Sequence, residues 1–418
     1  MSRKPLIGLV LSGGGARGAY EGGVIHYIRT GLPQENVRFD ILTGTSVGAI
    51  NACFLAATAH DPELQGREMR RLWEMLSPSR IYKTGALSVG KAIFQTIKHD
   101  LLGWIKEQRL DEAVPFTFYK SLQDTSPLRE FLGREISWQN ISKNMKKGVV
   151  GALAVSTTDI QTGQLVIFLE KDSSLNYIGT PDAVKTTITE THAMASAAIP
   201  ILFPPIDIDG TYYCDGGLRQ TTPISPAVAL GAEKILIIAL RYSPLQQKPV
   251  KKTKPPSLGH IVGKVFNSIF LDHLEYDMTM MKRMNRIIDW STRLYGPQYL
   301  EELNKAIAKD GILKHIPRRG IRKIEELTLY PSVDIGSMAA DFIKKGNLKL
   351  ALWHRIFFKA TQESSEADLL SYLLFDPAYL KQLFELGYED AKRQKDRLLQ
   401  FFEEDVQVGK MRRDEAPL

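Results

Sequence analysis

The sequence has few cysteines and no arrangement of side chains typical of a metal site. Only two of its 418 residues are cysteine, Cys53 and Cys214, and they lie far apart in the sequence. This sparse use of cysteine favours a reducing compartment and two inert thiols over a disulfide framework. No cluster of histidine, cysteine, aspartate and glutamate has the spacing of metal ligands. We therefore predict no metal and no cofactor.

Long apolar runs are also missing. No window approaches about 18 uninterrupted apolar residues, so no helix is expected to span a bilayer. The apolar run at residues 6–12 contains glycine and is too short for the apolar region of a secretory signal. These absences predict a cytoplasmic protein. Export that needs no cleavable signal peptide is the alternative left open.

The charge and composition exclude several classes of protein. A content of 44% hydrophobic and 24% charged residues is ordinary for a globular chain, which excludes disordered, collagen-like and coiled-coil proteins. The net charge of +7 is compatible with an anionic membrane, an acidic substrate or nucleic acid. Because there is no zinc-finger spacing, aromatic RNA-binding strand or long arginine tract, we expect no nucleic-acid partner.

The order of the predicted elements indicates an α/β fold. A short apolar strand at 6–12 is followed by a helix at 19–31, a second strand at 39–44 and an apolar helix at 47–59. This alternation predicts a mostly parallel central sheet with helices on both faces. Later segments predict a strand pair joined around 161–163, a hairpin that turns at Asp209 and Gly210, and a last helix and strand within 224–240.

A proline- and lysine-rich stretch suggests how the chain is divided. We predict four parts. The first is a domain over 1–242 with a helical insert at about 80–145, and the second is a linker over 243–257. A mainly helical C-terminal region over 258–408 packs on the core and includes a strand at about 324–330, and a disordered tail follows over 409–418.

Two glycine-rich motifs follow the first two strands. Gly13, Gly15 and Gly18 have the G-x-G-x-x-G spacing of a dinucleotide-binding turn. Such a site also needs an acidic residue at the end of the second strand to bind the ribose. The one candidate, Asp40, opens that strand and would lie at the wrong edge of the sheet. The strand closes instead with the G-x-S-x-G stretch around Ser46, between a strand and a buried helix, which is the context of a nucleophile elbow.

The elbow and the glycine loop are expected to lie side by side and form one site. Ser46 is expected in a strained turn that lifts its hydroxyl clear of the backbone, and Gly44 and Gly48 leave room for the turn. If the first two strands are parallel neighbours, their C-terminal ends lie side by side and the loop amides face Ser46. Amides in this position favour the oxyanion of an acyl-transfer intermediate. The predicted donors are Gly13, Gly14 and Gly15. A dinucleotide-binding oxidoreductase that uses residues 13–18 is the alternative of another class.

Three motifs carry a resemblance to a known family. "GGGARG" (13–18), "GTSVG" (44–48) and "DGG" (215–217) together resemble the patatin-like phospholipases. In the first motif, Arg17 and Gly18 match the basic residue plus glycine with which the family's glycine motif ends. The blocks "ASAAIPILFPPI" (195–206) and "DLLSYLLFDPAYLKQLFELGYEDA" (368–391) are also similar, the second to bacterial members. The resemblance therefore spans nearly the whole chain.

The resemblance implies a three-layer fold and a serine acyl hydrolase. Ser46 would be the nucleophile and Asp215 the general base, with no histidine and with an acyl-enzyme intermediate. Gly216 and Gly217 would let the carboxylate approach the elbow closely. The expected substrates are fatty-acyl esters of phospholipids or lysophospholipids at a membrane or micelle surface. The alternatives are a neutral-lipid esterase or general carboxylesterase that uses the same site, and a catalytically silent lipid-binding module.

A histidine-containing triad is the other possibility for the base. The chain order Ser, Asp, His would require a histidine after Asp215, and His192 precedes it. None of the later histidines has a characteristic neighbourhood. The candidates are His260, His273, His315 and His354.

Two lysine-containing apolar stretches could contact a lipid surface transiently. They lie at 84–109 and 248–274, and the alternatives are a helix packed on the core and a solvated linker. Arg17 is interpreted either as a solvated residue at a helix start or as a group that attracts an anionic lipid head group. Protein partners and oligomeric state are not predicted.

Overall fold

A nine-stranded sheet forms the centre of the chain, which the computed structural model describes over residues 4–83, 124–200, 202–242, 273–310, 320–345 and 371–403. Its strands are β1 (Ile7–Leu11), β2 (Ile41–Thr45), β3 (Ala152–Asp159), β4 (Leu165–Lys171), β5 (Val184–Lys185), β6 (Ile206–Ile208), β7 (Thr211–Asp215), β8 (Lys234–Ile238) and β9 (Glu325–Leu329).

Helices precede, follow and connect these strands. They are α1 (Gly18–Gly31), α2 (Val47–Thr58), α3 (Pro62–Glu74), α4 (Pro78–Ile81), α5 (Ser126–Glu135), α6 (Trp138–Lys146), α7 (Glu190–Ser196), α8 (Ile224–Ala229), α9 (His273–Tyr295), α10 (Tyr299–Asp310), α11 (Ile335–Lys344), α12 (Pro377–Arg393) and α13 (Lys395–Phe402).

The centre of the sheet is parallel, as the strand and helix order predicted. The main strand order is β5-β4-β3-β2-β1-β8-β9, and the five strands from β3 to β9 in this order all run in the same direction. The hairpin partner β4 is antiparallel to β3, and β7 pairs antiparallel with the end of β3. Every residue of β1, β2 and β8 is buried, which is why these strands appear in the sequence as continuous apolar runs.

Helices cover both faces of the sheet, which confirms the predicted fold class. Because side chains alternate along a strand, Leu9 and Leu11 of β1 point to one face, where they join a core that includes α1, α2 and α12. Val10 points to the other face and joins a second core with residues of α8 and α9. The predicted helices at 19–31 and 47–59 are observed as α1 and α2.

The predicted hairpin at Asp209 and Gly210 is also present. These residues connect β6 to β7 with φ angles of 51° and 82°, the two positive values that a tight two-residue hairpin turn requires. This turn directs β7 back along β3, so that Thr157 of β3 lies opposite Asp215. The hairpin thereby places the aspartate beside the C-terminal ends of the parallel strands.

The C-terminal region adds to the sheet and to one helical layer. Strand β9 pairs in parallel with β8, and α12 packs along α1. The predicted linker at 243–257, the tail at 409–418 and much of the insert at 80–145 lie outside the described residues, so the division into domains stays a prediction. Among the described helices, none is both long enough and apolar enough to cross a membrane.

The crossing of α1 and α12 depends on two glycines. A Cβ atom added at Gly23 would overlap the carbonyl oxygen of Phe384, and one added at Gly387 would overlap that of Tyr20. The two backbones are therefore in direct contact. Gly23→Ala is expected to lower the free energy of unfolding by about 3 kcal/mol, because the helices must move apart. Urea denaturation measures this loss.

A glycine without neighbours provides the matched control. Gly133 lies in α5, and no atom comes within 4 Å of the position that a Cβ would occupy. Gly133→Ala should therefore leave the stability unchanged or raise it by up to about 1 kcal/mol. Equal stability of the Gly23→Ala variant and the wild type would contradict the backbone contact.

Candidate active site

Ser46 lies at a sharp turn between β2 and α2. Its φ angle of 55° and ψ angle of −125° are unusual for a residue with a side chain, and they identify a strained elbow. A side chain at Gly44 would overlap the backbone of Gly48, and one at Gly48 would overlap that of Leu11. The two glycines therefore leave the room that the sequence pattern predicted.

A second serine holds the elbow in place. The backbone N–H of Ser46 donates to the Ser196 hydroxyl oxygen at 2.8 Å, and the Ser196 hydroxyl donates to the carbonyl of Ser156 at 2.6 Å. Both side chains are buried. Sequence reasoning missed Ser196: it lies within the block at 195–206, but a single serine at the end of a helix has no distinguishing spacing.

Asp215 lies directly beside the elbow. The Ser46 hydroxyl donates to Asp215 Oδ2 at 2.6 Å, and the backbone N–H of Gly217 donates to Oδ1 at 2.7 Å. Consecutive residues of β3 position the two partners, since Ser156 pairs with Thr45 and Thr157 pairs with Asp215. The structure thus brings together the two residues that the sequence singled out. Gly216 adjoins them, packed against the backbone of Ser156.

The environment of the Asp215 carboxyl is almost dry. The residue is 1% exposed, and burial raises its pKa from 3.8 to about 7 against the opposing effects of the Ser46 and Gly217 hydrogen bonds. A carboxyl group with a pKa in this range can accept a proton near neutral pH and release it again.

The glycine loop passes next to Ser46, but its amides are not equivalent. A Cβ atom at Gly13 would lie 3.3 Å from Ser46 Cβ, so the loop adjoins the elbow as predicted. The N–H of Gly13 already donates to the Thr221 carbonyl at 2.8 Å. The amides of Gly14 and Gly15 have no acceptor among the described residues. Of the three predicted oxyanion donors, Gly13 therefore already has an acceptor, and the oxyanion hole stays a prediction.

Arg17 is neither solvated nor accessible to a head group, so both interpretations of this residue are wrong. It is 2% exposed; its Nε donates to the Ser371 hydroxyl at 2.7 Å and one terminal nitrogen donates to the Leu240 carbonyl at 3.2 Å. Its guanidinium lies 4.3 Å from the centroid of the Tyr372 ring. Gly15, with a φ of 55°, packs against the backbone of Tyr372. Arg17 thus fixes the glycine loop to a C-terminal segment.

A network of buried hydrogen bonds adjoins the glycine loop, and no sequence pattern predicted it. Glu21 is fully buried and accepts hydrogen bonds from the Ser12 N–H at 2.7 Å and from Asn51 Nδ2 at 2.9 Å. Burial raises the pKa of Glu21 well above its ordinary value. Trp73 Nε1 donates to the other side of the Asn51 amide at 3.3 Å. Gly18 lies between these groups, against Val47.

An apolar pocket opens beside the Ser46 hydroxyl. Apart from Ser46 and Asn51, its walls are almost entirely hydrocarbon. They come from α2, from α3 and α5, and from the segment after α7. Representative lining residues are Ile50, Leu72, Leu76, Leu128, Phe131 and Phe203. A linear apolar chain is the ligand that such walls favour.

The described residues support neither the histidine-containing triad nor the dinucleotide-binding site. Among the described residues, no histidine hydrogen bonds to Ser46 or Asp215; His192 caps the start of α7 through its Nδ1, and His273 begins α9. The remaining candidates, His260, His315 and His354, lie outside the described residues. Asp40 accepts the Ile7 N–H at 2.7 Å at the opposite edge of the sheet from the glycine loop, where a ribose contact is out of reach.

Comparison with known proteins assigns the family. A family model described as patatin-like phospholipase matches residues 9–228, which is more than half of the chain. The chain therefore belongs to the patatin-like phospholipase family. The matched region includes the glycine loop, Ser46 and Asp215.

Two curated relatives match shorter stretches. Lysophospholipase nte1 of Aspergillus terreus is 35% identical over 100 residues, which cover 22% of this chain and 6% of that protein. The patatin-like phospholipase domain-containing protein ZK370.4 of Caenorhabditis elegans is 34% identical over 126 residues, 29% of this chain and 9% of that protein. The chain thus spans less than a tenth of the length of either relative. Because these relatives are fungal and nematode, the bacterial subgroup stays a prediction.

Solved structures give weaker likenesses. VipD from Legionella pneumophila has a TM-score of 0.37 at 13% identity, over 95% of this chain and 67% of VipD. Human GIVD cytosolic phospholipase A2 in complex with methyl gamma-linolenyl fluorophosphonate has a TM-score of 0.37 at 11% identity, over 96% of this chain and 60% of the human one. Both TM-scores are low, so the fold assignment depends on the strand order and the family model.

The raised pKa of Asp215 predicts a pH-dependent stability. The folded chain holds this proton more tightly than the unfolded chain, so the resulting stabilisation is complete below pH 3.8 and is lost as the pH rises through about 7. The Asp215→Asn variant has no carboxyl group to ionise at this position, so it does not lose stability in this way as the pH rises. We expect the stability of the variant, relative to wild type, to increase by roughly 3 kcal/mol between pH 5 and pH 8 in urea denaturation. The same relative stability at both pH values would contradict the shift.

Proposed function

We propose that the protein is a serine acyl hydrolase that cleaves fatty-acyl esters of phospholipids or lysophospholipids through Ser46 and Asp215. The observation that carries this proposal is the 2.6 Å hydrogen bond from the strained Ser46 hydroxyl to the buried Asp215 carboxylate. Membership of the patatin-like phospholipase family supports it. The lysophospholipase name of one relative agrees with the substrate class.

In the first half of the reaction, Ser46 Oγ attacks the ester carbonyl and Asp215 Oδ2 accepts its proton. A serine hydroxyl is a weak nucleophile that needs a base within hydrogen-bond reach. Asp215 then returns the proton to the leaving alcohol, which leaves an acyl-enzyme. In the second half, the same carboxylate removes a proton from water as the water oxygen attacks the acyl carbon. The bond from that carbon to Ser46 Oγ then breaks, the fatty acid leaves, and Asp215 returns the proton to Ser46.

The glycine loop would stabilise the negative charge that develops on the ester oxygen. Gly14 and Gly15 supply amides that no acceptor among the described residues occupies, whereas the Gly13 amide is held by Thr221. Loss of one such donor costs about 3–4 kcal/mol of transition-state stabilisation. The clamp between Arg17 and Ser371 therefore matters for catalysis by keeping these amides in position.

The apolar pocket supports a fatty acyl chain as the group that is transferred. Its hydrocarbon walls begin at Ser46 and offer few polar partners for a head group. They fit the acyl part of a phospholipid, a lysophospholipid or a neutral glyceride equally well. Esterase activity on neutral lipids therefore remains the alternative at the same site.

Labelling and turnover test the catalytic pair. A fluorophosphonate probe is expected to modify wild type at Ser46, and Ser46→Ala should abolish both labelling and hydrolysis. Asp215→Asn should lower kcat/KM by at least about 100-fold, because the base is lost. In wild type, kcat/KM should rise with pH through an inflection near the Asp215 pKa of about 7.

Matched substrates distinguish the remaining alternatives. A panel of defined phospholipids, lysophospholipids and triglycerides, each compared with the Ser46→Ala variant, identifies the preferred class. Hydrolysis that persists unchanged in Ser46→Ala would place the activity elsewhere. Absence of both labelling and turnover in wild type would favour a catalytically silent lipid-binding module.

The pocket predicts a selective effect on long acyl chains. Ile50 is half-buried and lines the pocket one helical turn after Ser46. Ile50→Phe should narrow the pocket and lower kcat/KM for p-nitrophenyl palmitate by about 10-fold, with little change for the butyrate ester. The control is Ile160→Phe, at an exposed turn outside the pocket. An equal loss on both esters in Ile50→Phe would contradict acyl binding in this pocket.

A further inference from the structure

Exposed apolar side chains are concentrated on one helix. Ten large apolar residues are exposed among the described residues, and six of them lie on α9. Four of the six are more than half exposed: Ile287 at 51%, Trp290 at 59%, Leu294 at 76% and Tyr295 at 63%. Met280, Met284, Ile287, Trp290 and Leu294 recur every three or four residues and form one stripe, and Tyr295 adjoins its end. Apolar patches of this kind mark interaction sites.

The opposite face of α9 is already packed. Met278 and Met281 are buried in the core between this helix and the sheet, and Ile288 is also buried. The Asn285 side chain makes two hydrogen bonds with the backbone of Ile324, at 2.8 Å and 3.0 Å. Because the inner face alone anchors α9, the exposed stripe is not needed to hold the helix on the protein.

Three arginines lie beside the stripe, and Asp277 lies near its N-terminal end. Arg283, Arg286 and Arg293 are exposed and have no acidic partner among the described residues. The acidic residue nearest to them on α9, Asp289, pairs with Lys323 at 2.8 Å on the inner side. A second copy of this helix would bring arginines against arginines, which disfavours self-association. An anionic surface complements this face.

We propose that the outer face of α9 docks on an anionic lipid bilayer, with the apolar stripe in the acyl boundary and the three arginines among the phosphates. Helices that lie in a membrane interface combine arginine or lysine with tryptophan and leucine in this way. Trp290 and Tyr295 also have the amphipathic rings that are enriched at the head-group level. The inference deepens the proposed function, on which it rests, by naming a surface that would hold a lipid hydrolase on a bilayer.

The direction of α9 relates this surface to Ser46. Lys282 pairs with Glu326 at 3.2 Å, and further along the helix Asp289 pairs with Lys323. The helix therefore runs antiparallel to β9. Its N-terminal end lies at the edge of the sheet where the parallel strands end, which is the edge that carries Ser46. Its C-terminal end, with Trp290 and Leu294, lies at the opposite edge, and α9 covers the face of the sheet opposite the apolar pocket. The surface therefore holds the protein on a bilayer without itself forming the entrance to that pocket.

Vesicle binding tests the proposal without hydrolysis of the vesicles. All proteins carry Ser46→Ala and are sedimented with vesicles of phosphatidylcholine alone or mixed with phosphatidylglycerol. We expect binding to the anionic vesicles, and an affinity at least about 10-fold lower in Trp290→Ala/Leu294→Ala. Each Arg→Gln change at 283, 286 or 293 should weaken binding roughly five-fold. Val149→Ala/Ile160→Ala, which removes exposed apolar groups elsewhere, is the control and should bind normally.

A soluble substrate separates this inference from the proposed function. With Ser46 intact, Trp290→Ala/Leu294→Ala should hydrolyse monomeric p-nitrophenyl butyrate like the wild type but lose activity on anionic vesicles. If the wild type does not hydrolyse the soluble ester while vesicle binding still depends on α9, the proposed function fails and the docking surface stands. Unchanged vesicle binding in the α9 variants would overturn the docking surface. So would a dimer in sedimentation equilibrium that these changes dissociate, without any binding to vesicles.

Discussion

The hydrogen bond between Ser46 and Asp215 depends on one strand that contacts both partners. Along β3, Ser156 pairs with the residue before Ser46 and also accepts from Ser196, while Thr157 pairs with Asp215. Two groups that are 169 residues apart in sequence are thereby held 2.6 Å apart by neighbouring positions of a third segment. Strand geometry, rather than the flexible placement of side chains, sets this distance. The fixed register explains how the Asp215 carboxylate is aligned on the Ser46 hydroxyl.

Burial raises the pKa of Asp215 towards neutral pH, and it also lowers the stability of the fold. A carboxylate without a positive partner among the described residues would be poorly stabilised in a dry site, and only the Ser46 hydroxyl and the Gly217 amide offset the desolvation. The elbow adds backbone strain at Ser46. Glu21 is a second buried carboxyl a short distance below the loop. The apolar cores on both faces of the sheet must supply the stability that these polar groups take away.

Much of this arrangement could be predicted because its signals are local. Gly44 and Gly48 flank Ser46 within one turn, and alternating strands and helices fix a parallel sheet whose strand ends meet. The partners that support the site could not be predicted in the same way. Ser196 acts through a single hydroxyl group, and one serine has no spacing that a sequence pattern could identify. Arg17 has a spacing that matched its motif, yet whether it meets solvent or Ser371 depends on a segment more than 350 residues later. The Gly13 amide is occupied by a carbonyl that no pattern marks.

The C-terminal region is physically part of the site, although the family model ends at residue 228. The segment at 371–375 contacts the glycine loop twice, through Ser371 and Tyr372, and contributes Phe375 to the apolar pocket. Helix α12 then follows and crosses α1, the helix that the loop opens, with their backbones in contact at Gly23 and Gly387. The position of α1 is therefore set by α12 as well as by the sheet. Ser46 and Asp215 both lie within the region that the family model matches, but the packing that holds the glycine loop beside them also comes from the C-terminal region.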